Sequence, residues 1–246
     1  MALLSPVTTA QLTPVRPAAA PNFLLAAIDG TGSTTWNPHG EHGDSSVARF
    51  YQDLRVPDDC KEYWHGPSDG ITGRDMLNSL LEMHEWLVAR VAALTSPKIV
   101  LVGHSRGGAG CVEMARRLGE NSLQVYFMGL YDAVDRTMSS DVDAEVVPGN
   151  VATVYHAMRD PSVGSRTSFG NCATRVAPGV EYVPKHFRGT HGAIGGSPEV
   201  QGTTQSKLFG ASRTSYATLT PQEETDAVIQ ADHFVRNGAR GKNIPI

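Results

Sequence analysis

The chain has 246 residues, 40% of them hydrophobic, with 21 Lys+Arg against 25 Asp+Glu. That length suits one compact domain, which buries roughly 70–75% of its unfolded surface and needs no disulfide or metal to hold a core. The near-balanced charge, with no basic stripe, excludes a nucleic-acid footprint, and no apolar run reaches the ~20 residues of a membrane-spanning helix.

Residues 1–21 read as a flexible leader. Their apolar runs are short, are broken by Pro6, Pro14, Pro17 and Pro21, and lack a basic region in front, so no secretory signal is expected. A cytoplasmic location is the expectation, with any export following a route other than a cleaved signal. Residues 22–246 are expected to form a single domain. Phe23 to Ile28 is a short apolar run followed by Asp29-Gly30-Thr31-Gly32, the pattern of a buried parallel strand. Ser33 to Gly70 is rich in Gly, Pro, His and Asp and reads as a long loop region with one short helix around Ser46 to Leu54. Its aromatic residues Trp36, Phe50, Tyr51, Tyr63 and Trp64 suit either core or the wall of a substrate site.

Thr72 to Leu94 carries apolar residues at helical spacing, with Thr72 and Asp75 as a capping box and Pro97 as a stop. Lys98 to Val102 is a buried strand, Gly107 to Leu118 a helix ended by Gly119, and Leu123 to Leu130 another strand. Val151 to His156 is a further strand and Val180 to Val183 a short last one. Thr220 to Arg236 is a closing helix, with Thr220 as its cap, Pro221 at its first position, Glu223 completing the box, and Asn237-Gly238 ending it. Strands alternating with helices give an α/β fold with a mostly parallel central sheet and helices on both faces. Cys60, Cys111 and Cys172 include no C-x-x-C pair. Three free thiols are expected, with a Cys60–Cys172 bridge as the alternative.

Gly103-His104-Ser105-Arg106-Gly107 fits G-x-S-x-G. It directly follows an apolar strand and directly opens a helix, the context that marks the nucleophile elbow of an α/β hydrolase. A serine on so tight a turn needs small residues two positions to either side, which Gly103 and Gly107 supply. The turn lifts the hydroxyl above the carboxyl edge of the sheet, at a helix N-terminus that favours a developing oxyanion.

A serine hydroxyl needs a base, and in this fold the chain order is Ser, Asp/Glu, His. Asp132, just past the next strand, is the first choice for the acid, with Asp135 the competitor. Of the histidines that follow, His156 lies in a strand, His233 in a helix, and His186 and His191 share a loop. His191, within Gly189-Thr190-His191-Gly192-Ala193-Ile194-Gly195-Gly196, is favoured because flanking glycines let the backbone bend to bring an imidazole to a distant serine. For the oxyanion, the Arg106 N–H is one expected donor, and Gly30 or Thr31 supplies the second. This chemistry calls for no cofactor and no metal.

Four segments then line up together: Ile28-Asp29-Gly30-Thr31 with Trp36-Asn37; Gly103 to Gly108; Phe127-Met128-Gly129-Leu130-Tyr131-Asp132-Ala133-Val134; and His186 to Gly196. In that order they resemble the α/β-hydrolase-like family that includes type VI secretion phospholipase effectors. Its members show a first-strand Asp-Gly-Thr, an elbow Gly-Phe-Ser-Arg-Gly, a Gly-x-Trp-Asp-Thr-Val, and a Phe-x-Gly-x-His with trailing glycines. Here His104, Tyr131 and Ala133 depart from that pattern. The resemblance implies a Ser105, Asp132 and His191 triad acting on carboxylic esters, phospholipid acyl esters among them. The partner it implies is a small-molecule or lipid ester, met in transient contact with a membrane surface. Rival readings are an inactive hydrolase fold used as a binding module, and acyl transfer or thioester hydrolysis by the same triad. A phosphatase of the haloacid-dehalogenase type, suggested by Asp29-Gly30-Thr31, lacks its nucleophile, since Ala27 stands where that aspartate belongs.

Overall fold

The computed structural model describes residues 22–31, 45–67, 74–135, 144–165, 170–198 and 219–246. The first strand, β1 (Phe23–Ile28), is buried along its whole length. Leu24, Ala26 and Ile28 join one apolar cluster, and Phe23, Leu25 and Ala27 join another on the opposite face. A strand covered on both sides must be apolar at every position, which is why it reads as a continuous run. The chain continues through α1 (Ser46–Asp53), β2 (Lys61–Trp64), α2 (Arg74–Ala93), β3 (Lys98–His104), α3 (Arg106–Glu120) and β4 (Val125–Tyr131). Then come β5 (Val146–Val147), β6 (Thr153–Arg159), β7 (Arg175–Val176), β8 (Glu181–Phe187), the single turn α4 (His191–Ile194) and α5 (Pro221–Gly241).

The central sheet has six strands in the order β2-β1-β3-β4-β6-β8, with every pairing parallel. β5 and β7 form a separate parallel pair. α2 and α3 cover one face through Met76, Leu80, Met83, Cys111 and Met114. α1 and α5 cover the other through Phe50, Ala231 and Val235. The chain leaves β1 for β2 on one side, then crosses to β3 on the other. The carboxyl ends of β1 and β3 therefore flank the point where the winding reverses, where open α/β sheets hold their ligands.

The remaining sequence expectations resolve in physical terms. β2 lies inside the stretch read as loop. It is a short edge strand beginning with Lys61 and Glu62, and its lysine spans two roles by donating to the carbonyls of Tyr51 at 3.2 Å and Leu54 at 3.1 Å. Phe50, Tyr51, Tyr63 and Trp64 are core residues, while Trp36, the Thr72 cap and the 1–21 leader lie outside the described residues. β8 runs past Pro184 to Phe187, because an edge strand tolerates a proline that a central one does not.

α5 has the expected capping box, with Thr220 Oγ1 accepting from Glu223 N–H at 3.2 Å and the Glu223 carboxylate accepting from Thr220 N–H at 2.7 Å. It does not stop at Asn237-Gly238. A Cβ on Gly238 would fall 2.5 Å from the Tyr155 ring, so this glycine permits close packing of helix on sheet rather than ending the helix. Cys60, Cys111 and Cys172 are each buried as free thiols. Among the described residues, no helix is long and apolar enough to cross a membrane.

Candidate active site

Ser105 stands between β3 and α3 with φ 55° and ψ −125°. A left-handed φ is uncommon for a residue with a Cβ, and holding it costs about 1–3 kcal/mol. Contacts on every side maintain it. The Ser105 N–H donates to Tyr131 O at 3.0 Å, and its carbonyl accepts from Gly108 N–H and Val134 N–H, each at 3.0 Å. The flanking glycines are sterically required. A Cβ on Gly103 would lie 2.5 Å from Gly107 O, and one on Gly107 would lie 2.2 Å from Ile28 O.

The structure brings Ser105, His191 and Asp132 together. His191 Nε2 is 2.9 Å from Ser105 Oγ, and His191 Nδ1 is 2.6 Å from Asp132 Oδ2. All three are buried, with Ser105 only 7% exposed and His191 only 6%. Asp132 follows β4 immediately, at φ 46°. Its N–H donates to Ala157 O at 2.7 Å, which aims the carboxylate across the carboxyl edge of the sheet. His191 opens α4 rather than lying in an open loop. Thr190 caps that turn by accepting from Ala193 N–H at 3.2 Å, and is itself held by Glu224 of α5, which accepts from Thr190 N–H at 2.9 Å and from its hydroxyl at 2.7 Å.

The glycines around His191 serve closeness more than bending. A Cβ on Gly189 would lie 2.4 Å from Ala227 Cβ, and one on Gly195 would lie 2.3 Å from the His104 ring. Of the flanking glycines, Gly196 has a left-handed φ, 98°. His156 and His186 lie in β6 and β8, and His233 lies in α5.

Burial pushes the Asp132 carboxyl up, but the hydrogen bond and charge of His191 and the charge of Arg159 outweigh it and hold the group well below the usual carboxylate range. Burial lowers His191, the hydrogen bond and charge of Asp132 oppose it, and His104 and Arg159 add to the lowering, so the imidazole is neutral and able to accept a proton at neutral pH.

The expected oxyanion donors are placed unequally. Arg106 opens α3 directly after Ser105 and is buried. Gly30 is close, since its Cβ would lie 3.0 Å from Ser105 Cβ, but its N–H donates to Asp29 Oδ1 at 2.8 Å. Thr31, one residue on, is exposed. Asp29 also accepts from Tyr63 Oη at 2.8 Å and from the Ser45 hydroxyl, and its Oδ1 is 3.6 Å from His104 Nδ1.

Several residues at the site carry no local sequence signal. Arg159 pairs with Asp132 through its guanidinium and, at 3.0 Å, through its own N–H. Asn171 donates to Asp132 Oδ1 at 2.7 Å, Ser165 Oγ accepts from His191 N–H at 2.9 Å, and His156 Nε2 accepts from Ala133 N–H at 3.2 Å. Arg159 leaves one clue, a charged residue at the carboxyl end of a buried strand that holds no other Lys, Arg, Asp or Glu.

A parallel sheet wound in both directions, with a serine on a strained turn at its reversal point, defines an α/β-hydrolase-like fold. No protein-family model matches the sequence, and no curated protein matches it. Among solved structures, the chain is similar to an uncharacterized protein from Pseudomonas aeruginosa, with TM-score 0.51 and 12% identity over 93% of this chain and 47% of that one. It is also similar to the Tle1 effector bound to the VgrG spike of a type 6 secretion system, with TM-score 0.49 and 16% identity over 81% of this chain and 56% of that one. A third is the RedJ thioesterase of prodiginine biosynthesis in Streptomyces coelicolor, with TM-score 0.38 and 17% identity over 79% of this chain and 92% of that one. The chain spans about half the length of the first two.

Proposed function

We propose that the protein is a serine hydrolase that cleaves carboxylic esters. Ser105 Oγ attacks the ester carbonyl while His191 Nε2 takes its proton. Asp132 keeps the imidazole in the tautomer with Nδ1–H and stabilises the imidazolium as it forms. The tetrahedral oxyanion is bound by the Arg106 N–H and by a second N–H from the loop after β1. Thr31 is the candidate there, because the Gly30 N–H is already engaged by Asp29. The protonated His191 then delivers its proton to the leaving alcohol, and water, activated by the same imidazole, releases the acyl group. The observation that carries this reading is the unbroken hydrogen-bonded series from Ser105 through His191 to Asp132, at 2.9 and 2.6 Å, on a serine held at φ 55°.

The finer assignment is to a phospholipid or other lipid acyl ester, and it is supported by the four-segment resemblance. The test pairs labelling with turnover. A fluorophosphonate probe is expected to label the wild type and not Ser105→Ala, and a short-chain nitrophenyl ester is expected to be hydrolysed by the wild type alone. Mixed lipids incubated with the pure protein are then expected to yield free fatty acid by mass spectrometry. Labelling that persists in Ser105→Ala refutes the assignment of the nucleophile. Turnover of soluble esters without any lipid product refutes the lipid assignment and leaves the esterase standing.

A further inference from the structure

Asp132 is held by far more than the histidine. Its Oδ1 accepts from the Arg159 N–H at 3.0 Å and from Asn171 Nδ2 at 2.7 Å. Its Oδ2 accepts from the Arg159 guanidinium and faces His191 Nδ1 at 2.6 Å. Among the described residues, each carboxylate oxygen thus has two partners. Arg159 reaches further. Its Nε donates to Ser165 O at 3.0 Å, and Ser165 Oγ accepts the His191 N–H at 2.9 Å. One side chain therefore ties the acid after β4 to the backbone of the base at the start of α4.

That side chain is only 6% exposed, and a buried ion costs several kcal/mol of desolvation that only good pairing recovers. A cation beside the acid also works against the reaction in one respect, because it repels the imidazolium that must form on His191. A residue that opposes the charge yet occupies the centre of the network is explained by geometry.

We propose that Arg159 is a positioning residue for the hydrolytic reaction, locking Asp132 and, through Ser165, the His191 backbone into one register. This rests on the ester-hydrolase reading above. Two opposed consequences follow from removing it. The loosened register slows the chemical step, and the lost repulsion makes His191 more basic. A merely structural arginine would cost stability and give the second effect, but would leave kcat of the folded protein unchanged.

His191 is faced by His104 from β3, by Asp132 after β4 and by Arg159 at the end of β6. Behind these stand Asp29 against His104, His156 against the Asp132 loop, and Glu224 of α5 against Thr190. The variants below change none of these other groups.

The experiment compares the full chain with Arg159→Gln, Arg159→Lys and Ser165→Ala. Readouts are kcat and the acid limb of kcat/KM on a nitrophenyl ester. The far-downfield imidazole proton resonance of the His191–Asp132 hydrogen bond is followed against pH as a readout that needs no turnover. Arg159→Gln is expected to lower kcat by up to about 10²-fold with KM little changed, and to move both the acid limb and the proton titration to higher pH. Arg159→Lys is expected to keep the wild-type limb but not the full kcat, since an ammonium cannot reproduce the guanidinium fork. Ser165→Ala is expected to lower kcat with the limb unmoved.

A folded Arg159→Gln protein with wild-type kcat and KM overturns the proposal. Should that variant not fold, wild-type kcat in both Arg159→Lys and Ser165→Ala overturns it equally. A wild type that turns over no ester, but whose resonance shifts on Arg159→Gln as expected, refutes the hydrolase reading and with it the role in hydrolysis, leaving only the contact of Arg159 with the Asp132–His191 pair.

Discussion

The elbow makes a sharp prediction at Gly107. A Cβ there would stand 2.2 Å from Ile28 O and 2.5 Å from Asp29 O. Both atoms are backbone, at the end of a fully buried central strand, so no rotamer change relieves the overlap. The contact falls more than an ångström short of the ~3.5–4.0 Å optimum between non-bonded heavy atoms. Gly107→Ala must therefore move the first turn of α3 away from β1, and Ser105, which joins β3 to α3, moves with it. Overpacking of this kind costs about 1–3 kcal/mol, which in a chain of this size lowers Tm by roughly 2–12 °C. A displacement of about an ångström at the nucleophile costs on the order of 10²-fold in turnover.

Gly149→Ala is the matched control. Its Cβ would meet Ala177 Cβ at an ordinary 3.6 Å, so its Tm is expected to hold or rise slightly. Differential scanning calorimetry and nitrophenyl ester kinetics on both variants read the two effects. A Gly107→Ala protein that melts and turns over like the wild type would show that helix and strand are not pressed together, and the steric account of the elbow would fail.

Asp132→Asn is expected to lower kcat by about 10⁴-fold by favouring the wrong histidine tautomer, and also to lower Tm because Arg159 is left buried without its carboxylate; steady-state kinetics and a thermal melt check the two effects separately. His156 is buried in β6, its pKa pushed down to about 4 from 6.5 by desolvation, with the Asp132 charge opposing. The unfolded chain therefore binds the proton first, so this group costs stability as pH falls from 6.5 towards 4, by about 3 kcal/mol in all, and costs nothing above that window. Urea titrations at pH 7 and pH 4.5 should show a smaller difference for His156→Gln than for the wild type, and equal differences would remove His156 from the account. Thr220→Ala removes the capping box of α5 at a cost of about 1 kcal/mol, seen as a Tm lower by about 2–4 °C with turnover at room temperature unchanged.

What could be read from the sequence was whatever is written locally. Phe23 to Ile28 and Ile99 to Val102 are apolar at every position because both faces are covered, and Ser105 declares its turn through glycines two residues away on each side. The nearness of Asp132 to Ser105 also follows from local reading, because consecutive parallel strands bring their carboxyl ends to one rim. The glycine-rich flank of His191 is legible, and its physics is mixed: Gly196 has the left-handed φ that eases a bend, while Gly189 and Gly195 make room for Ala227 and His104. Arg159, Ser165 and Asn171 were not legible. Their roles come from contacts between segments 26 to 39 residues apart, and beyond the strand-end charge of Arg159 nothing in their neighbours announces them. β2 was hidden because an edge strand needs only one apolar side, and Lys61-Glu62 reads as loop.

The outer rim of the sheet at β8 has a consequence for how these molecules behave in a crowd. The Glu181 N–H donates inward to Ala152 O, so by strand alternation the residue-184 position is one whose N–H would point outward. Proline fills that position and offers no hydrogen there, while Lys185 beside it sets a charge on the rim. A strand from another copy arriving at this border meets a missing rung at Pro184, so edge-to-edge extension of the sheet, the first step towards a fibre, is disfavoured there.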